Sequence, residues 1–557
     1  CDAGVVAALC AAGAPTAHRD GFGRTAIDIG AVCGRGELIG VLPGLSAEAV
    51  AAGALAARRT HLYAHPACLL HAAPVGAQVD SLSAAEKRSL FGQPECADRL
   101  RTMLAPYGSL RGSRFAPLVR CAAPRAQLAD VLRVHEWSYY DSLQRQCAAL
   151  AARASAEPER PAIGLMDNDT EVTEYSMIAA LHAAGAVVEA VRDVCAVPRR
   201  ARNAFCAVRP PGHHAGPRGA VGGQSAGFCL FSTAAIGAAY ALASHRDVVR
   251  RVAILDYDVH HGNGTQACVR NVRPSERVET FTCGAGALQI TGVDFKPWLS
   301  QNDGDNVFFG SIHGFGHESA PYDPDADSDT GPESGQFYPG SGGPVDQSSA
   351  PMVLNSPVAL RTDSHAWRRE MSAKLLGPLD AFAPDLVIIS AGFDAHAHDP
   401  LEAGALQDLD FEWMTAELVG LAEARCAGRL VSVLEGGYQI TGGPVSSLGR
   451  AVAAHVATLM DRSLVRLPWD ACASGDRLVL GIQAEAQWRE ARLSAMGAQN
   501  APAQLTDGSS ARRSKRTRSD VDYTKLQVGH PRAHRVQNAP TPTRTSLSAA
   551  ALRAGRN

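Results

Sequence analysis

The stretch that most constrains this chain is Val252-Ala253-Ile254-Leu255, followed by Asp256-Tyr257-Asp258-Val259-His260-His261 and then Gly262-Asn263-Gly264-Thr265-Gln266. An apolar run entering a Gly-rich turn reads as a buried strand, and period-2 alternation carries Asp256, Asp258 and His260 onto one face at its C-terminal end. Two carboxylates and an imidazole cannot be buried together without a compensating charge, so a divalent cation is the simplest partner. For the pattern alone, the alternative is a chance cluster in a polar loop.

Three more apolar runs end in the same way. Ala204-Phe205-Cys206-Ala207-Val208 leads into Arg209-Pro210-Pro211-Gly212-His213-His214-Ala215. Leu386-Val387-Ile388-Ile389-Ser390-Ala391-Gly392-Phe393 leads into Asp394-Ala395-His396, and Leu430-Val431-Ser432-Val433-Leu434 into Glu435-Gly436-Gly437-Tyr438. Helical stretches alternate with these runs, one of them over 175–194 with Ile178, Leu181, Ala184 and Val188 at helical spacing. Near-continuous apolar strands separated by helices predict an α/β fold, a mostly parallel sheet covered on both faces. In such sheets sites form at the C-terminal ends of the strands, where all four polar clusters fall.

The clusters can be combined into a chemistry. Asp258, His260 and Asp394 are three hard or borderline ligands from two strand ends, a set that suits zinc with one position left for water and substrate. His213 and His214 follow a rigid Pro-Pro-Gly bend, so both imidazoles can face one water as general base and acid. Tyr438 follows a Gly pair suited to swinging a phenol toward a developing oxyanion. Phe228, in Gly227-Phe228-Cys229, and Tyr338, in Phe337-Tyr338-Pro339-Gly340, can wall a narrow channel or else pack a core. Taken singly, a HisHis pair is a surface accident and GGY a simple turn. Together the parts describe metal-assisted hydrolysis of an amide by activated water.

RPPGHHA at 209–215, GFC at 227–229, DYDVHHGNGTQ at 256–266, SAGFDAH at 390–396 and LEGGY at 434–438 resemble, in this order, the zinc-dependent histone deacetylase family and specifically its class II branch. The segments beginning at Pro94, Val134 and Asp167 resemble earlier landmarks of the same domain. The resemblance implies an arginase-like fold around an eight-stranded parallel sheet, with zinc (Zn2+) held by Asp258, His260 and Asp394. It implies proton transfer by His213 and His214, backed by Asp256 and Asn263, and polarisation of the acetyl carbonyl by Tyr438. The implied substrate-binding set is Asp167, Phe228, Tyr338, Leu401, Gly436 and Gly437: Asp167 as a rim carboxylate, Phe228 and Tyr338 as walls of an acetyl-lysine tunnel, Leu401 as gatekeeper. A structural potassium ion (K+) near Asp256, Asp258, His260 and Ser311 is implied as well. The implied activity is hydrolysis of acetyl-lysine in proteins, histone tails foremost, in the nucleus and/or cytoplasm. An acetylpolyamine amidohydrolase would share every catalytic residue. A corepressor scaffold with a silent pocket would be a non-enzyme, and an arginase-like ureohydrolase should show more Asp ligands.

Some positions depart from the family pattern. Asn263 stands where class I members have Asp, and an amide cannot stabilise an imidazolium as a carboxylate does, so His214 should stay neutral more readily than His213 and be the better base. Polyamine-selective relatives look as if they place Glu at the position of Leu401, although Glu402 is adjacent. Residues 274–303 form an insertion. A loop with Glu318, Asp323, Asp325, Asp327, Asp329 and Glu333 follows, without Lys or Arg between Gly316 and Gln336. Such a loop can steer basic tails or be merely solvated.

The flanks read differently. Residues 1–46 hold a partial repeat of period 33, Gly4–Leu9 recurring as Glu37–Leu42, which resembles ankyrin repeats and a protein-partner surface; two ordinary Ala-rich helices are the alternative. A 47–60 linker, a 61–465 catalytic domain and a 466–557 segment complete the expected organisation. In that last segment a helix over 477–496 precedes a basic tail with too little to bury, for which disorder is expected. Its residues 500–557 carry eleven Lys or Arg against three Asp, although the whole chain is only −3. The cluster Arg512–Arg518 reads as an import signal, a nucleic-acid contact or a solvated tail, and no base-reading motif accompanies it. Fourteen scattered cysteines without a CxxC pair suggest a reducing compartment and no disulfide framework. No apolar stretch reaches membrane-span length. Because the chain starts at Cys1, a preceding segment or targeting signal stays open.

Overall fold

A computed structural model describes residues 59–71, 94–106, 108–157, 162–222, 225–283, 286–316 and 336–462. The ankyrin-like segment, most of the linker, the acidic loop, the 477–496 helix and the basic tail lie outside the described residues.

The strands are β1 (Thr60–Ala64), β2 (Val119–Ala122), β3 (Gly164–Leu165), β4 (Glu171–Val172), β5 (Asn203–Cys206), β6 (Val252–Asp256), β7 (Ser275–Cys283), β8 (Gly286–Asp294), β9 (Val307–Gly314), β10 (Ser348–Ser349), β11 (Met352–Val358), β12 (Leu386–Ala391) and β13 (Leu430–Leu434). Nine of them form one sheet in the order β10-β11-β9-β6-β12-β13-β5-β1-β2. Eight are mutually parallel, and the two-residue β10 adds an antiparallel edge beside β11. The expected eight-stranded parallel sheet is thus present, with a short ninth strand.

Helices cover both faces. On one, α1 (Ser176–Cys195) and α2 (Thr233–Ser244) pack on each other and on the central strands. Both are buried nearly all round, as expected of helices whose polar residues are too few to form a solvent face. Small residues let them approach: a Cβ at Gly237 would meet Val187 Cγ1 at 2.5 Å. On the other face lie α3 (Asp408–Cys426) and α4 (Ser447–Met460). The insertion forms a separate antiparallel hairpin, β7 against β8, joined to the body by the Arg218–Asp294 ion pair at 2.8 Å. No described helix is long and apolar enough to cross a membrane.

The topology determines where chemistry can occur. The four runs with polar ends are the adjacent central strands β6, β12, β13 and β5, and because they are parallel their C-terminal ends meet on one edge of the sheet.

Candidate active site

The metal-ligand candidates converge at the ends of β6 and β12. One ligand atom from each of Asp258, His260 and Asp394 lies within 4.8 Å of the others, and all three residues are buried. His260 Nδ1 is 3.0 Å from Asp258 Oδ1 and 3.1 Å from Asp394 Oδ2. Strand alternation is not what brings them together, because β6 ends at Asp256. Beyond it the chain turns on its own side chains: Asp258 N–H donates to Asp256 Oδ1 at 3.0 Å, and His260 N–H to Asp258 Oδ1 at 2.9 Å. The Asx-type turns aim the side chains inward.

The donor set fits a dication. Asp394 Oδ2 is buried with no hydrogen-bond partner, although His260 Nδ1 lies 3.1 Å away, because that nitrogen is engaged by Asp258 Oδ1 at 3.0 Å. Burial and the charge of Asp258 both raise the Asp394 carboxyl. A cation among these oxygens would relieve both. Glycine keeps the cradle open, since a Cβ at Gly436 would sit 2.1 Å from Asp394 Oδ2 and 2.6 Å from Asp258 Oδ2.

The two histidines from the loop after β5 flank this cluster, their ring centroids 3.9 Å apart. His213 Nδ1 is 3.1 Å from Asp256 Oδ2, and His214 Nδ1 is 2.9 Å from Asn263 Oδ1. Burial pulls both imidazoles down, but for His213 the Asp258 and Asp256 carboxylates outweigh it and hold the ring at about 10. For His214 burial is reinforced by His213 and His260, so it is pushed well below the ordinary value. The two rings therefore sit at opposite ends of the proton-transfer range.

Aromatic rings wall the approach. Tyr338 lies 4.9 Å from His214 and 5.9 Å from His260, centroid to centroid, and its hydroxyl donates to Ser225 O at 2.8 Å. Phe228 is 6.0 Å from Tyr438 in an edge-on arrangement and holds a left-handed φ of 68°. Phe337, read only as a neighbour of Tyr338, stacks on His260 at 5.2 Å. Asp167, expected as a rim carboxylate, spends its oxygens on nearby amides: Oδ1 accepts from Thr170 N–H at 2.9 Å and Oδ2 from Ala226 N–H at 2.8 Å. Leu401 is 39% exposed, and the adjacent Glu402 is turned to Arg361, carboxylate to guanidinium, at 3.1 Å.

Several supporting residues lie within the motifs and the segment beginning at Pro94 but had no role assigned from the sequence. Glu435 Oε2 accepts from the amides of Gly212 and His213, at 2.7 and 3.2 Å, and so holds the histidine loop. Burial raises its carboxyl to about 7. With His213 and Cys229 it forms a second group of close donor atoms, but burial keeps the Cys229 thiol protonated. Arg209 binds both oxygens of Glu95 at 2.6 Å, Glu95 pairs with Arg99, and Arg99 Nε donates to Gly437 O at 2.7 Å. The Arg99 guanidinium also lies 4.9 Å over the Tyr438 ring. These residues grip backbone atoms and one another, partners that lie far apart in the chain and so give each residue no readable role.

Comparison with known proteins gives consistent matches. The histone deacetylase domain family matches residues 93–459. The chain is 32% identical over 360 residues to "Type-2 histone deacetylase 2" of Dictyostelium discoideum, covering 61% of this chain and 18% of that protein. It is 31% identical over 391 residues to "Histone deacetylase-like amidohydrolase" of Pseudomonas aeruginosa, covering 68% and 82%. The solved HDA15 HD domain superposes with a TM-score of 0.52 at 26% identity, covering 78% of this chain and 99% of that one. The matched region spans about a fifth of that Dictyostelium relative and of a second, "Type-2 histone deacetylase 1".

Proposed function

Because the chain belongs to the histone deacetylase family, we propose that it is a zinc-dependent deacetylase that hydrolyses acetyl-lysine in proteins, histone tails among them. The observation that carries this reading is the orphaned, buried Asp394 Oδ2 beside Asp258 and His260, within reach of two histidines of opposite basicity. Asn263 in place of a carboxylate behind His214 supports a class II-like assignment. The same reading puts a structural potassium ion beside Asp256, Asp258, His260 and Ser311; Ser311 sits opposite Asp256 on β9.

In this mechanism Asp258, His260 and Asp394 would hold the zinc. Zinc bound there supplies Lewis acidity toward water and the amide carbonyl. The low basicity of His214 leaves it neutral, and with Nδ1 committed to Asn263 it takes the water proton through Nε2. His213, kept protonated by the Asp258 and Asp256 carboxylates, returns a proton to the departing lysine amine. Tyr438 donates its hydroxyl to the carbonyl oxygen as negative charge develops. Phe228 and Tyr338 exclude water from the methylene chain between them.

A protein substrate is favoured over an acetylpolyamine by the rim. Leu401 offers a dication nothing to offset its desolvation, and the neighbouring Glu402 carboxylate is engaged by Arg361. The test is zinc content together with turnover of an acetyl-lysine peptide and of N-acetylspermidine. Wild type should bind zinc and favour the peptide in kcat/KM, Leu401→Glu should narrow the gap, and Asp258→Ala should fold but lose both zinc and turnover. A preference of wild type for the polyamine overturns the substrate assignment, and full activity of Asp258→Ala overturns the metal assignment.

A further inference from the structure

Tyr438 follows two glycines, Gly437 at φ 111°, so nothing in its own backbone fixes where the phenol points. The structure nevertheless fixes it through one peptide group. The carbonyl of Gly437 accepts from Arg99 Nε at 2.7 Å, while the N–H of Tyr438, the other end of the same planar unit, donates to Asp399 Oδ2 at 2.7 Å. A guanidinium and a carboxyl oxygen thus grip the two poles of one peptide dipole. Both side chains are buried, Arg99 at 0% and Asp399 at 3% exposure, where hydrogen bonds are electrostatically stronger than in water.

The other oxygen of Asp399 accepts from Leu401 N–H at 3.1 Å, so one carboxylate joins the rim to the backbone of the oxyanion donor. A purely local Asx turn would need only the Leu401 bond. The Tyr438 bond spans 39 residues and reaches a different strand end. The rim side is itself anchored, since Arg361 Nε donates to Glu402 O at 2.9 Å and the Arg361 amide to Ala403 O at 2.8 Å. Arg361 and Glu402 both hold left-handed φ angles, 57° and 52°, which persist only where surrounding contacts overdetermine them. The loop carrying Asp399 is therefore tied to the neighbouring Arg361 segment as well as to Tyr438.

We propose that Asp399 is a positioning residue that aims the Tyr438 hydroxyl, resting on the deacetylase reading in which that hydroxyl polarises the acetyl carbonyl. Its loss should act in the transition state rather than on substrate capture.

The test uses zinc-loaded wild type, Asp399→Asn, Asp399→Ala, Tyr438→Phe and the double variant Asp399→Asn/Tyr438→Phe, assayed on acetyl-lysine and trifluoroacetyl-lysine forms of one peptide. The electron-poor trifluoroacetyl carbonyl needs the phenol less. Asp399→Asn should keep its zinc and its KM within about twofold but lose about ten- to a hundredfold in kcat on the acetyl peptide, and much less on the trifluoroacetyl peptide. In the Tyr438→Phe background the same change should cost less than about threefold, because the group it aims is gone. Equal losses on both peptides, or full losses in the Tyr438→Phe background, overturn the inference while leaving the deacetylase reading standing. Wild type inert on both peptides overturns the reading and the inference with it. Should Asp399→Ala fail to fold, Asp399→Asn, which keeps the volume and one acceptor oxygen, carries the comparison.

Discussion

At the scale of single residues, the site separates groups that do chemistry from groups that leave room for it. Tyr438 belongs to the first kind. Removing one transition-state donor typically costs about a hundred- to a thousandfold in rate, so Tyr438→Phe should lower kcat by that much at unchanged zinc content, read by steady-state kinetics and metal analysis. On the proposed mechanism, in which the neutral ring acts as the base, His214→Ala should harm turnover at least as much as His213→Ala; the reverse order in kcat would transfer that role to His213. Gly436 belongs to the second kind. Its added methyl would stand 2.1 Å from Asp394 Oδ2, so Gly436→Ala should fold yet lose zinc affinity, measured by competition with a chromogenic chelator; wild-type affinity would show that the carboxylates can move aside.

At the scale of elements, the sequence and the structure agree best where burial is total. β6, β12 and β13 were legible as apolar runs because both faces of each are covered, and α1 because its small and aliphatic residues repeat at helical spacing. β1, with Thr60 and His61, and β9, with Ser311 and His313, were not read as strands. Their polar residues are buried by specific bonds, such as Thr60 to Asn203 and Ser311 to His313, that no local pattern announces. The structure brings together the side chains to which the sequence reading gives chemical roles, whereas Glu95, Arg99 and Asp399 were given none, because their partners are backbone atoms or other charged side chains such as Arg209. The β7–β8 hairpin is a further lesson, since an insertion can be located in sequence without its architecture being known. It forms its own two-stranded sheet, and its Arg218–Asp294 tie, with a half-exposed arginine, is of a kind worth about 0–1 kcal/mol. Replacing 275–294 by a short Gly-Ser turn should leave kcat/KM for a short acetyl-lysine peptide within about twofold, whereas a tenfold fall would place the hairpin in the catalytic rim.

At the scale of the whole molecule, buried histidines set a limit on acid tolerance. His71, His135 and His455 are buried, and burial pushes each down to about 3. In the unfolded chain each binds a proton near pH 6.5, so below that value the unfolded state binds more protons and stability falls with pH, by up to about 1.4 kcal/mol per pH unit for each histidine. Glu95 adds to this at lower pH: although burial raises it, Arg209 outweighs that and holds it at about 2, so its contribution is lost as pH falls from about 4.5. Glu435, raised by burial to about 7, works in the opposite direction and offsets about one of these histidines; the three together outweigh it, so thermal unfolding from about pH 6.5 to 5 should show a falling Tm, and a Tm that rises over that range would contradict this account. The order of the central strands has a consequence for how the protein is made. β5 lies between β1 and β13, and β13, with Gly436 and Tyr438 just beyond it, is the last strand of the sheet in the chain. While a ribosome is still translating the region before Leu430, the histidine loop after β5 has already emerged but has neither the neighbour that seats it nor the phenol that completes it. Every shorter nascent chain is therefore inert, and activity should appear abruptly, only after the end of the domain clears the exit tunnel.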